Sequence, residues 1–600
     1  MPADDLFAIA PYTLRAIDSR SMLVIRVDTG VSGALDVAWS GLLDELRVFR
    51  SLADHAQVLM TRHPRLQGQK QGLIAALRSL RERGILVAAS ALSEAYARAS
   101  GARDDGPPVV CIRTCDRPEA LKRLLTSLFA EPAHPDSTWP VEVYDDSRTD
   151  AAIGINRKTV SDLSARFNLF YVGRDEQAAL LQRLTDNAPE DRAHLSWLLS
   201  ADESVHQGQP THGLMLNHAF LRNAGRRLLL IDDDAVLDTW TGANTDWRVR
   251  FERGGVTGAP VLEESTLMDG LRPYPPGVLK AHVDVLGKSL PAAARAMGAP
   301  LSAARFHEAA YSLAVAPRPE QTRVRYSING TLGDPGTLGD HALLFDLGRT
   351  RPDLVGDAER YAALCAAPRL ALGGQPPCPR LGKAPGLHLA TVAGIDTGPY
   401  IGPLLPAGRG EDALLGTQLM FLYPNDYGLT LPIAVVHRPV EPRSWMFAPE
   451  ALLGPASGSA TLASWMAMTA VAGELSPQQR LVSMAQGIAQ SATAGDLEAA
   501  VARLRTLSET ERLAWALSSA RRLASSGATG CNAWREDVTA VGTWAASRLQ
   551  RAEPPSPADV SAIAGQLREY AQALPAWNRA WDLACTRALG AAATGAAARA

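Results

Sequence analysis

The chain has 600 residues, 46% of them hydrophobic, and a formal net charge of −3. This length exceeds what one hydrophobic core usually organises, so we expect a globular protein of two to four domains. The nearly balanced charge, without a dense Lys/Arg block, argues against nucleic acid as a partner.

Cysteine usage and the N-terminal sequence indicate a cellular compartment. The six cysteines are scattered without the spacing of a zinc site or of a dense disulfide framework. The first residues are acidic and lack the apolar core of a signal peptide. The sequence also lacks an apolar run approaching the roughly 20 residues that span a bilayer. We therefore expect a cytoplasmic protein without a transmembrane segment.

Residues 1–100 are expected to form a small α+β module. SMLVIRV predicts a strand, WSGLLDELRVF a helix, and GLIAALRSLRERG a second helix that Gly84 can end. A strand then starts at Ile85. Helix, glycine and strand in this order resemble the winged-helix peptide-recognition modules of the pyrroloquinoline-quinone D type, and this resemblance implies a peptide-binding role. A cap that packs on the next domain is the alternative.

The stretch ASGARDDGPP predicts a linker, with a second domain over residues 106–450. PVVCIRTC predicts a strand, Asp116 the cap of the following helix, and VEVYDDS a second strand. Helices around 151–166, 174–185 and 211–224 separate the strands LFYVG and RRLLLIDDD. Strands alternating with helices predict a parallel, doubly wound sheet, whose carboxyl ends face one crevice. Five carboxylates should therefore converge, those of Asp145, Asp146, Asp232, Asp233 and Asp234.

An acidic triple, formed by Asp232, Asp233 and Asp234, stands at the end of an apolar strand. Adjacent carboxylates repel one another unless a metal ion or a cationic partner lies nearby. Carboxylate oxygens suit Mg²⁺ or Mn²⁺, which would hold a diphosphate. A solvated acidic loop is the alternative.

Two further regions differ in composition. Residues 241–395 are rich in Gly and Pro without a dominant period, so we expect loops and an inserted lobe whose fold the sequence leaves open. Residues 455–600 are rich in Ala, Leu and Arg at helical spacing, which predicts an α-helical domain.

The order CIRTCDRPEALKRLLTSL, VEVYDDS and LLLIDDD resembles the nucleotide-sugar domain of GT-A glycosyltransferases of the inverting family-2 type. The resemblance implies a Rossmann-like, mostly parallel sheet. It also implies that Thr114 and Arg117 lie near the nucleotide, that Asp145 or Asp146 contacts the base, and that Asp233 faces the ribose. Asp232 and Asp234 would anchor the metal.

LPAGRGEDALLG places Arg409, Glu411 and Asp412 at the head of a helix and resembles the ED motif of the same family. The resemblance implies Asp412 as catalytic base, with Glu411 (together the ED pair) as the alternate and Arg409 beside the donor. An inverting transfer needs a carboxylate within hydrogen-bond reach of the acceptor nucleophile. The alternative is a helix N-terminus that favours acids through its dipole.

His437 follows the apolar run LPIAVV, where some GT-A enzymes place a third metal ligand. A neutral imidazole completes a site of carboxylate and phosphate oxygens, especially for Mn²⁺. A structural histidine is the alternative. Arg438 and Arg443 could instead meet the diphosphate, because guanidinium suits phosphate geometry.

Taken together, these motifs predict a metal-dependent, hexosyltransferase-like enzyme that uses a nucleotide-diphosphate sugar as donor. The acceptor stays open between glycan, peptide and small molecule. Two departures from the family leave donor and acceptor undetermined: an insertion around NAPEDRAHLSWLLSADESVHQ, and the missing tryptophan motif near the ED position.

Two other functions compete. Asp232-x-Asp234-x-Val236 also resembles the nucleophile loop of haloacid-dehalogenase-like phosphatases, with Asp340 and Asp346 as later metal ligands. That family places its nucleophile after the first strand, whereas about three strand–helix units precede it here. The second alternative is a catalytically inactive GT-A scaffold or peptide-binding protein.

Overall fold

The computed structural model describes residues 5–99, 106–131, 139–202, 204–206, 209–251, 268–334, 341–367, 370–373, 378–383, 391–398, 400–441, 444, 447–471, 474–525 and 530–587. Most of the expected linker, at 100–105, lies outside these residues.

The first elements are β1 (Phe7–Ile9), β2 (Tyr12–Ala16), β3 (Ser21–Arg26), β4 (Ser32–Asp36), α1 (Leu52–Arg62), α2 (Lys70–Glu82), β5 (Leu86–Ala88) and α3 (Ala89–Ala97). Strands β2, β3 and β4 form an antiparallel sheet in that order, and β1 pairs with β5.

The predicted helix–glycine–strand unit is confirmed in this part of the chain. Gly84 has φ +73° between α2 and β5, a left-handed conformation that glycine adopts without steric cost. The helix predicted over WSGLLDELRVF is wrong, because the chain forms two 3₁₀ turns there, Val37–Trp39 and Leu43–Leu46. Gly41 separates the two turns, and glycine is a poor residue for the interior of a helix.

The next elements are β6 (Val109–Thr114), α4 (Pro118–Ala130), β7 (Val141–Asp145), α5 (Asp150–Ser164), β8 (Leu169–Val172), α6 (Arg174–Asn187), α7 (Arg192–Leu199), α8 (His212–Arg222) and β9 (Arg227–Asp232). The strand order is β8-β7-β6-β9, and each neighbouring pair is parallel. The predicted alternation of strands and helices is confirmed here, and helix α7 occupies the segment expected as an insertion.

The order of these strands reverses between β6 and β9. In open α/β sheets, ligands bind outside the carboxyl ends of the strands at such a switch point. Arg113 near the end of β6 is in register with Asp232 at the end of β9, and Thr114 is in register with Asp145 of β7. The crevice at these strand ends therefore brings the predicted polar residues together.

The following elements are β10 (Ala235–Gly242), β11 (Arg250–Phe251), β12 (Leu271–Pro273), α9 (Val278–Val283), α10 (Leu290–Ala296), α11 (Tyr311–Ala314), β13 (Val324–Gly333), α12 (His341–Thr350), α13 (Pro352–Val355), α14 (Ala358–Ala366), β14 (Leu370–Gly373), β15 (Arg380–Gly382), β16 (Val392–Asp396), α15 (Glu411–Leu422) and β17 (Tyr427–His437).

The large sheet has twelve strands among the described residues. Beyond β9 it continues as β16-β13-β17-β15-β11, with β10 on β17 and β12, and β14 on β13. Strand β16 runs antiparallel to β9 and to β13. The sheet is therefore parallel in its first half and mixed in its second, to which the Gly- and Pro-rich region contributes several strands.

The remaining helices are α16 (Gly458–Met468), α17 (Pro477–Ala494), α18 (Leu497–Ser525), α19 (Asn532–Arg551) and α20 (Pro557–Arg587). The predicted helical character of this part is confirmed. Helix α20 packs on the chain segment that leads to α15, where Trp577 Nε1 donates to the carbonyl of Ile401 at 2.8 Å and Tyr570 donates to that of Pro403 at 3.1 Å. The C-terminal helices thus support the loop before the ED pair.

Within the described residues, the helices lack the combination of length and apolar character that crossing a bilayer requires.

Candidate functional site

Strand β6 sends consecutive side chains to opposite faces of the sheet, because the side-chain period of a strand is two. Val109 and Cys111 join the apolar cluster formed with α8 and α15, whereas Val110 and Ile112 join the cluster on the other face. Arg113 and Thr114 continue this alternation. The acidic triple is divided in the same way, with Asp232 beside Arg113 and Asp233 beside Thr114.

Arg113 neutralises the first carboxylate of the acidic triple. Its Nε and Nη2 donate to Oδ1 of Asp232 at 3.2 and 2.6 Å. Its Nη1 lies 3.6 Å from Glu411 Oε1, and its Nη2 lies 3.8 Å from Asp412 Oδ1. Burial opposes the charge on Arg113, but the carboxylates of Asp232, Asp412 and Glu411 raise its pKa above the ordinary value. One guanidinium therefore joins the acidic triple to the ED pair.

The other two carboxylates of the triple, those of Asp233 and Asp234, contact Arg117 instead of Arg113. Thr114 Oγ1 donates to Asp233 Oδ2 at 2.8 Å, and Arg117 Nη1 lies 3.2 Å from Asp233 Oδ1 and 3.4 Å from Asp234 Oδ2. Burial raises the pKa of Asp233 to about 6. The positive charge of Arg117 opposes this increase, and the negative charge of Asp234 adds to it. Both oxygens of Asp233 are engaged by neighbouring side chains.

His437 lies against the third carboxylate. Its Nε2 is 3.0 Å from Asp234 Oδ1, and its Nδ1 is 2.6 Å from the carbonyl oxygen of Asp334. Although burial disfavours the charged ring, Asp234 and the Asp334 carbonyl raise the pKa of His437. A carbonyl acceptor on Nδ1 directs the Nε2 atom to its partner, which is the arrangement of many metal-binding histidines.

Helix α15 begins with the ED pair, as predicted. Gly410 precedes it with φ +97°, and its N–H donates to Glu411 Oε2 at 3.1 Å. The side chain of Asp412 is 36% exposed. Desolvation raises the pKa of Asp412 to about 7, opposed by Arg113 and reinforced by Glu411 and Asp232. The pKa of Asp412 therefore lies near neutral pH.

Two residues at the start of α8, Thr211 and His212, reach the site without a sequence motif that predicts them. Thr211 Oγ1 donates to Asp146 Oδ2 at 2.6 Å. Burial lowers the pKa of His212, whose charged neighbours include Glu411, Arg409 and Arg113. These two residues carry no motif, so only the tertiary structure shows them. Arg113 was also missed, although a lone charge in the apolar run VVCIRT could have indicated it.

Asp145 and Asp146 follow one another but face different surroundings. Asp145 is buried and accepts from Ser147 N at 2.9 Å, Asn156 Nδ2 at 3.1 Å and Tyr171 Oη at 2.8 Å. Asp146 is partly exposed at the crevice, and burial raises its pKa. Asp145 thus organises its own loop, whereas Asp146 faces the α8 side of the site.

The prediction that Asp116 caps α4 is wrong. Asp116 has φ +54°, and its Oδ1 accepts from Arg148 N, Thr149 N and Thr149 Oγ1 at 2.9 to 3.1 Å. Arg117 takes the cap position without a side-chain cap. The left-handed backbone directs the Asp116 carboxylate to the loop after β7 instead of to the helix.

Six carboxylates line the site (Asp146, Asp232, Asp233, Asp234, Glu411 and Asp412), and the arginines whose charges act on them or on His212 include Arg113, Arg117, Arg148, Arg174 and Arg409. Carboxylate oxygens with one imidazole are suitable ligands for Mg²⁺ or Mn²⁺. Asp234 and His437 are already adjacent, while Oδ1 of Asp232 is held by Arg113. Nowhere in the described ranges do three or more His, Cys, Asp or Glu residues form a ready metal cluster. Asp234 and His437 have the chemistry of divalent-cation ligands, whereas the Asp232 oxygen that a cation would share with them is held by Arg113.

The other predicted site residues are the two arginines expected at the diphosphate and the two later aspartates of the phosphatase alternative. The backbone N–H of Arg438 donates to the carbonyl of Asp234 at 2.8 Å, which ties β17 to the turn of the triple. Arg443 and Asp340 lie outside the described residues. Asp346 lies in α12, whose apolar residues pack with those of α18 and α19.

Comparison with protein-family models and with curated proteins found no match for this chain.

Proposed function

We propose that the chain is an inverting, hexosyltransferase-like glycosyltransferase of the GT-A type, which transfers a sugar from a nucleoside-diphosphate donor to a nucleophile. The observation that carries the proposal is the meeting of the acidic triple and the ED pair at one crevice, through contacts of Arg113 with Asp232, Glu411 and Asp412. These two motifs are far apart in the chain, and the proposed reaction requires them together.

The crevice is also where the topology favours a ligand. It lies at the carboxyl ends of β6 and β9, where the strand order reverses. Arg117 is half-exposed there and presents a guanidinium that suits a phosphate.

We assign the nucleotide to the surface formed by Thr114, Arg117, Asp146 and Arg409. Asp146 is a better partner for the base than Asp145, whose oxygens are engaged within its own loop. Asp233 has both oxygens engaged, so we assign it to hold Arg117 rather than the ribose.

We assign Asp232, Asp234 and His437 as ligands of Mg²⁺ or Mn²⁺. The contact of His437 with Asp234 supports this assignment for two of the three residues. When bound, such an ion would neutralise the charge that develops on the leaving diphosphate. Asp234 and His437 would supply adjacent ligands, and Asp232 would join them as its bond to Arg113 weakens.

Asp412 is the proposed catalytic base. A general base works best when its pKa lies near the working pH, and the pKa of Asp412 is about 7. Glu411 fits this role less well, because its Oε2 accepts from the backbone of Gly410. Asp412 would accept the proton of the acceptor nucleophile, and the neighbouring Arg113 would stabilise the carboxylate before transfer.

The test is a thermal-shift panel of UDP-, GDP-, dTDP- and CDP-sugars, each with Mn²⁺ or with chelator. A ligand that binds the native state raises the midpoint in proportion to the logarithm of its concentration over its Kd. We expect one nucleotide class to stabilise the wild type with Mn²⁺ and to lose this effect in Asp234→Ala. Asp162→Ala, at an exposed position on α5, is the matched control. If all four classes leave the wild type unshifted, the proposal fails.

A second role, peptide recognition by the N-terminal module, has its own support. Strand β4 accepts a hydrogen bond from outside the sheet, since Arg83 Nη1 donates to the carbonyl of Ala34 at 2.6 Å. In the part of the chain that the structure describes, strand β2 pairs with β3 alone. Leu14, Ile17 and Val27 are exposed near this edge. An open strand edge with exposed apolar side chains suits the addition of an extended peptide.

This role is tested with an array of extended apolar peptides. We expect binding to the full-length wild type and weaker binding to Leu14→Ser/Ile17→Ser. Leu507→Ser, a change of an exposed apolar residue on α18, is the control. Peptide binding without nucleotide-sugar binding would favour the inactive scaffold over the enzyme, and equal binding by both variants would remove β2 as the peptide site.

A further inference from the structure

We propose that a cavity between α18 and α19 binds a medium-chain carboxylate, a molecule with one apolar chain and one anionic head. The cavity has a volume of about 640 Å³ and is lined by residues of these two helices. Small-molecule sites usually enclose about 300 to 1,000 Å³. The cavity lies outside the crevice of the acidic triple, and the proposal does not depend on the proposed function.

Small residues leave the space between the two helices. The helices meet at Gly542, where a Cβ atom would lie 2.7 Å from that of Ala520. Both residues line the cavity, together with Ala524 and Ala546. Residues of this size let the backbones of the helices approach each other and do not fill the groove beside their contact.

The floor of the cavity is apolar. Leu523, Trp534 and Val538 belong to the buried cluster that α12 shares with α18 and α19, and each of them also lines the cavity. Leu517, another lining residue, packs against the same cluster. An apolar chain placed on this floor would remove apolar surface from water, which favours binding.

Trp534 is held in one position. Its Nε1 donates to the carbonyl of Leu344 at 3.2 Å, and a side chain at Gly348 or at Gly530 would collide with its ring. The indole is therefore fixed by a hydrogen bond and by close backbone neighbours. A wall that is already in place spares a ligand the free-energy cost of ordering it.

Polar residues form a row along the rim of the cavity. Arg535, Thr539 and Thr543 are exposed lining residues that follow one another at intervals of four along α19. Residues four apart lie on the same face of a helix. Trp534 and Val538 each stand one position earlier in the chain, so an apolar row and a polar row run side by side. This arrangement suits an amphipathic ligand.

The charged residues of the lining are both positive. Arg521 and Arg535 line the cavity from α18 and α19, and the described lining holds no acidic residue. The ion pairs of the described part of these helices use Arg505, Arg548 and Arg551 instead. A carboxylate complements such cations, because a guanidinium binds it with two parallel hydrogen bonds. We therefore place the head of the ligand at Arg521 and Arg535.

Calorimetry on the full chain tests the proposal with decanoate, decanol and acetate as probes. We expect the wild type to bind one decanoate per chain. Decanol has the same chain without a charge and should bind about tenfold more weakly, because it forms no ion pair with the arginines. Acetate has the charge without the chain and should not bind measurably.

A filling variant locates the site. Thr543→Trp, at an exposed position on the rim, should fill the cavity and abolish the binding of decanoate and of decanol. Thr506→Trp, at an exposed position of α18 outside the lining, should bind both as the wild type does. If circular dichroism shows Thr543→Trp to be unfolded, Thr539→Trp fills the cavity from the same row.

A charge variant tests the placement of the head. Arg521→Gln/Arg535→Gln should weaken decanoate binding about tenfold and leave decanol binding within about twofold of the wild type. Arg503→Gln/Arg568→Gln removes the same charge at exposed positions outside the lining and should leave both affinities unchanged.

Three results would contradict the proposal. A wild type that does not bind decanoate, or a Thr543→Trp variant that binds it unaltered, would overturn the site. Equal loss of decanoate and decanol in Arg521→Gln/Arg535→Gln would overturn the placement of an anionic head. A wild-type dimer in sedimentation that Thr543→Trp converts to a monomer would show the cavity to be an interface between two copies of the chain.

Discussion

The imidazole Nε2 of His437, at the end of β17, lies 3.0 Å from Oδ1 of Asp234, in the turn between β9 and β10. Strand β10 pairs with β17 in a register that places Ala235 opposite His437. The two side chains are thus brought together by pairing between strands that are distant in the chain. Asp334 fixes the other ring nitrogen through its carbonyl. Asp234 and His437 are therefore in direct contact, unlike the other residues proposed as metal ligands.

His437→Ala should weaken Mn²⁺ binding, because it removes one of two adjacent ligands. We expect a loss of at least about tenfold in affinity, as for other changes at metal sites. Calorimetry on the full chain measures it. His307→Ala, at an exposed site remote in the fold, should leave the affinity unchanged. Unaltered Mn²⁺ binding by His437→Ala would remove His437 from the ligand set.

Asp412→Asn should abolish most transfer and preserve donor binding. The amide cannot take the acceptor proton, and loss of a general base typically costs about 10²- to 10⁴-fold in rate. Donor binding measured by thermal shift should stay within about twofold of the wild type. Glu411→Gln is the neighbouring comparison and should cost less. Near-normal transfer by Asp412→Asn would show that another group is the base.

The transfer rate should rise with pH through neutrality. The pKa of Asp412 is about 7, and only its ionised form accepts a proton, so the active fraction grows as pH increases past this value. A plot of kcat/KM against pH should show an ascending limb near pH 7 in the wild type. A limb near pH 4 would instead indicate a base with the ordinary pKa of a carboxyl group.

Glu131 should make the stability of the fold depend on pH. Burial raises the pKa of Glu131 to about 7, although backbone N–H groups of Leu279 and Val278 at the start of α9 favour the ion. Because the pKa is higher in the folded state than the value of 4.5 for the free group, its contribution is greatest below pH 4.5 and is lost as the pH rises through about 7.

Replacement of this carboxyl group gives the test. Glu131→Gln should flatten the fall in the free energy of unfolding between these pH values, a change of up to about 3 kcal/mol. Chemical denaturation at pH 5 and pH 8 measures it. Glu119→Gln, exposed on helix α4 that Glu131 follows, is the control. An equal pH dependence in wild type and Glu131→Gln would contradict the assignment.

Trp577→Phe should loosen the segment before the ED pair. The change keeps an aromatic ring but leaves the buried carbonyl of Ile401 without the indole donor, at a cost of about 1 to 3 kcal/mol. We expect a lower thermal midpoint and a weaker response to the donor. The conservative change Trp515→Phe on α18, where the ring is exposed, should alter neither.

Much of the local structure could be predicted from the sequence. The run RRLLLID is apolar and ends in carboxylates, and it forms β9 as expected. The ED pair stands at the head of α15, and His437 ends β17. Each of these depends on side-chain period and on residues near the element ends, which are contained in short stretches of sequence.

The hydrogen-bond partners of the Asp116 side chain could not be predicted in this way. A helix cap and a loop contact are both available to an aspartate before Pro118. The choice depended on the loop after β7, where Arg148 and Thr149 supply three donors to its carboxylate. That loop meets Asp116 only because β6 and β7 are neighbours in the sheet.

The sequence by itself determined most strands and helices of residues 106–232 and of the C-terminal part, and the chemical character of the acidic triple and the ED pair, because periodicity and composition act over a few residues. Only the tertiary structure decided which carboxylate meets which cation. Strand register set Arg113 opposite Asp232, the period of the strand sent Asp233 to the other face, and packing of α20 on the segment before α15 placed Asp412 beside Arg113. These relationships depend on pairing between distant segments, and a single-residue change of register would separate every one of these pairs.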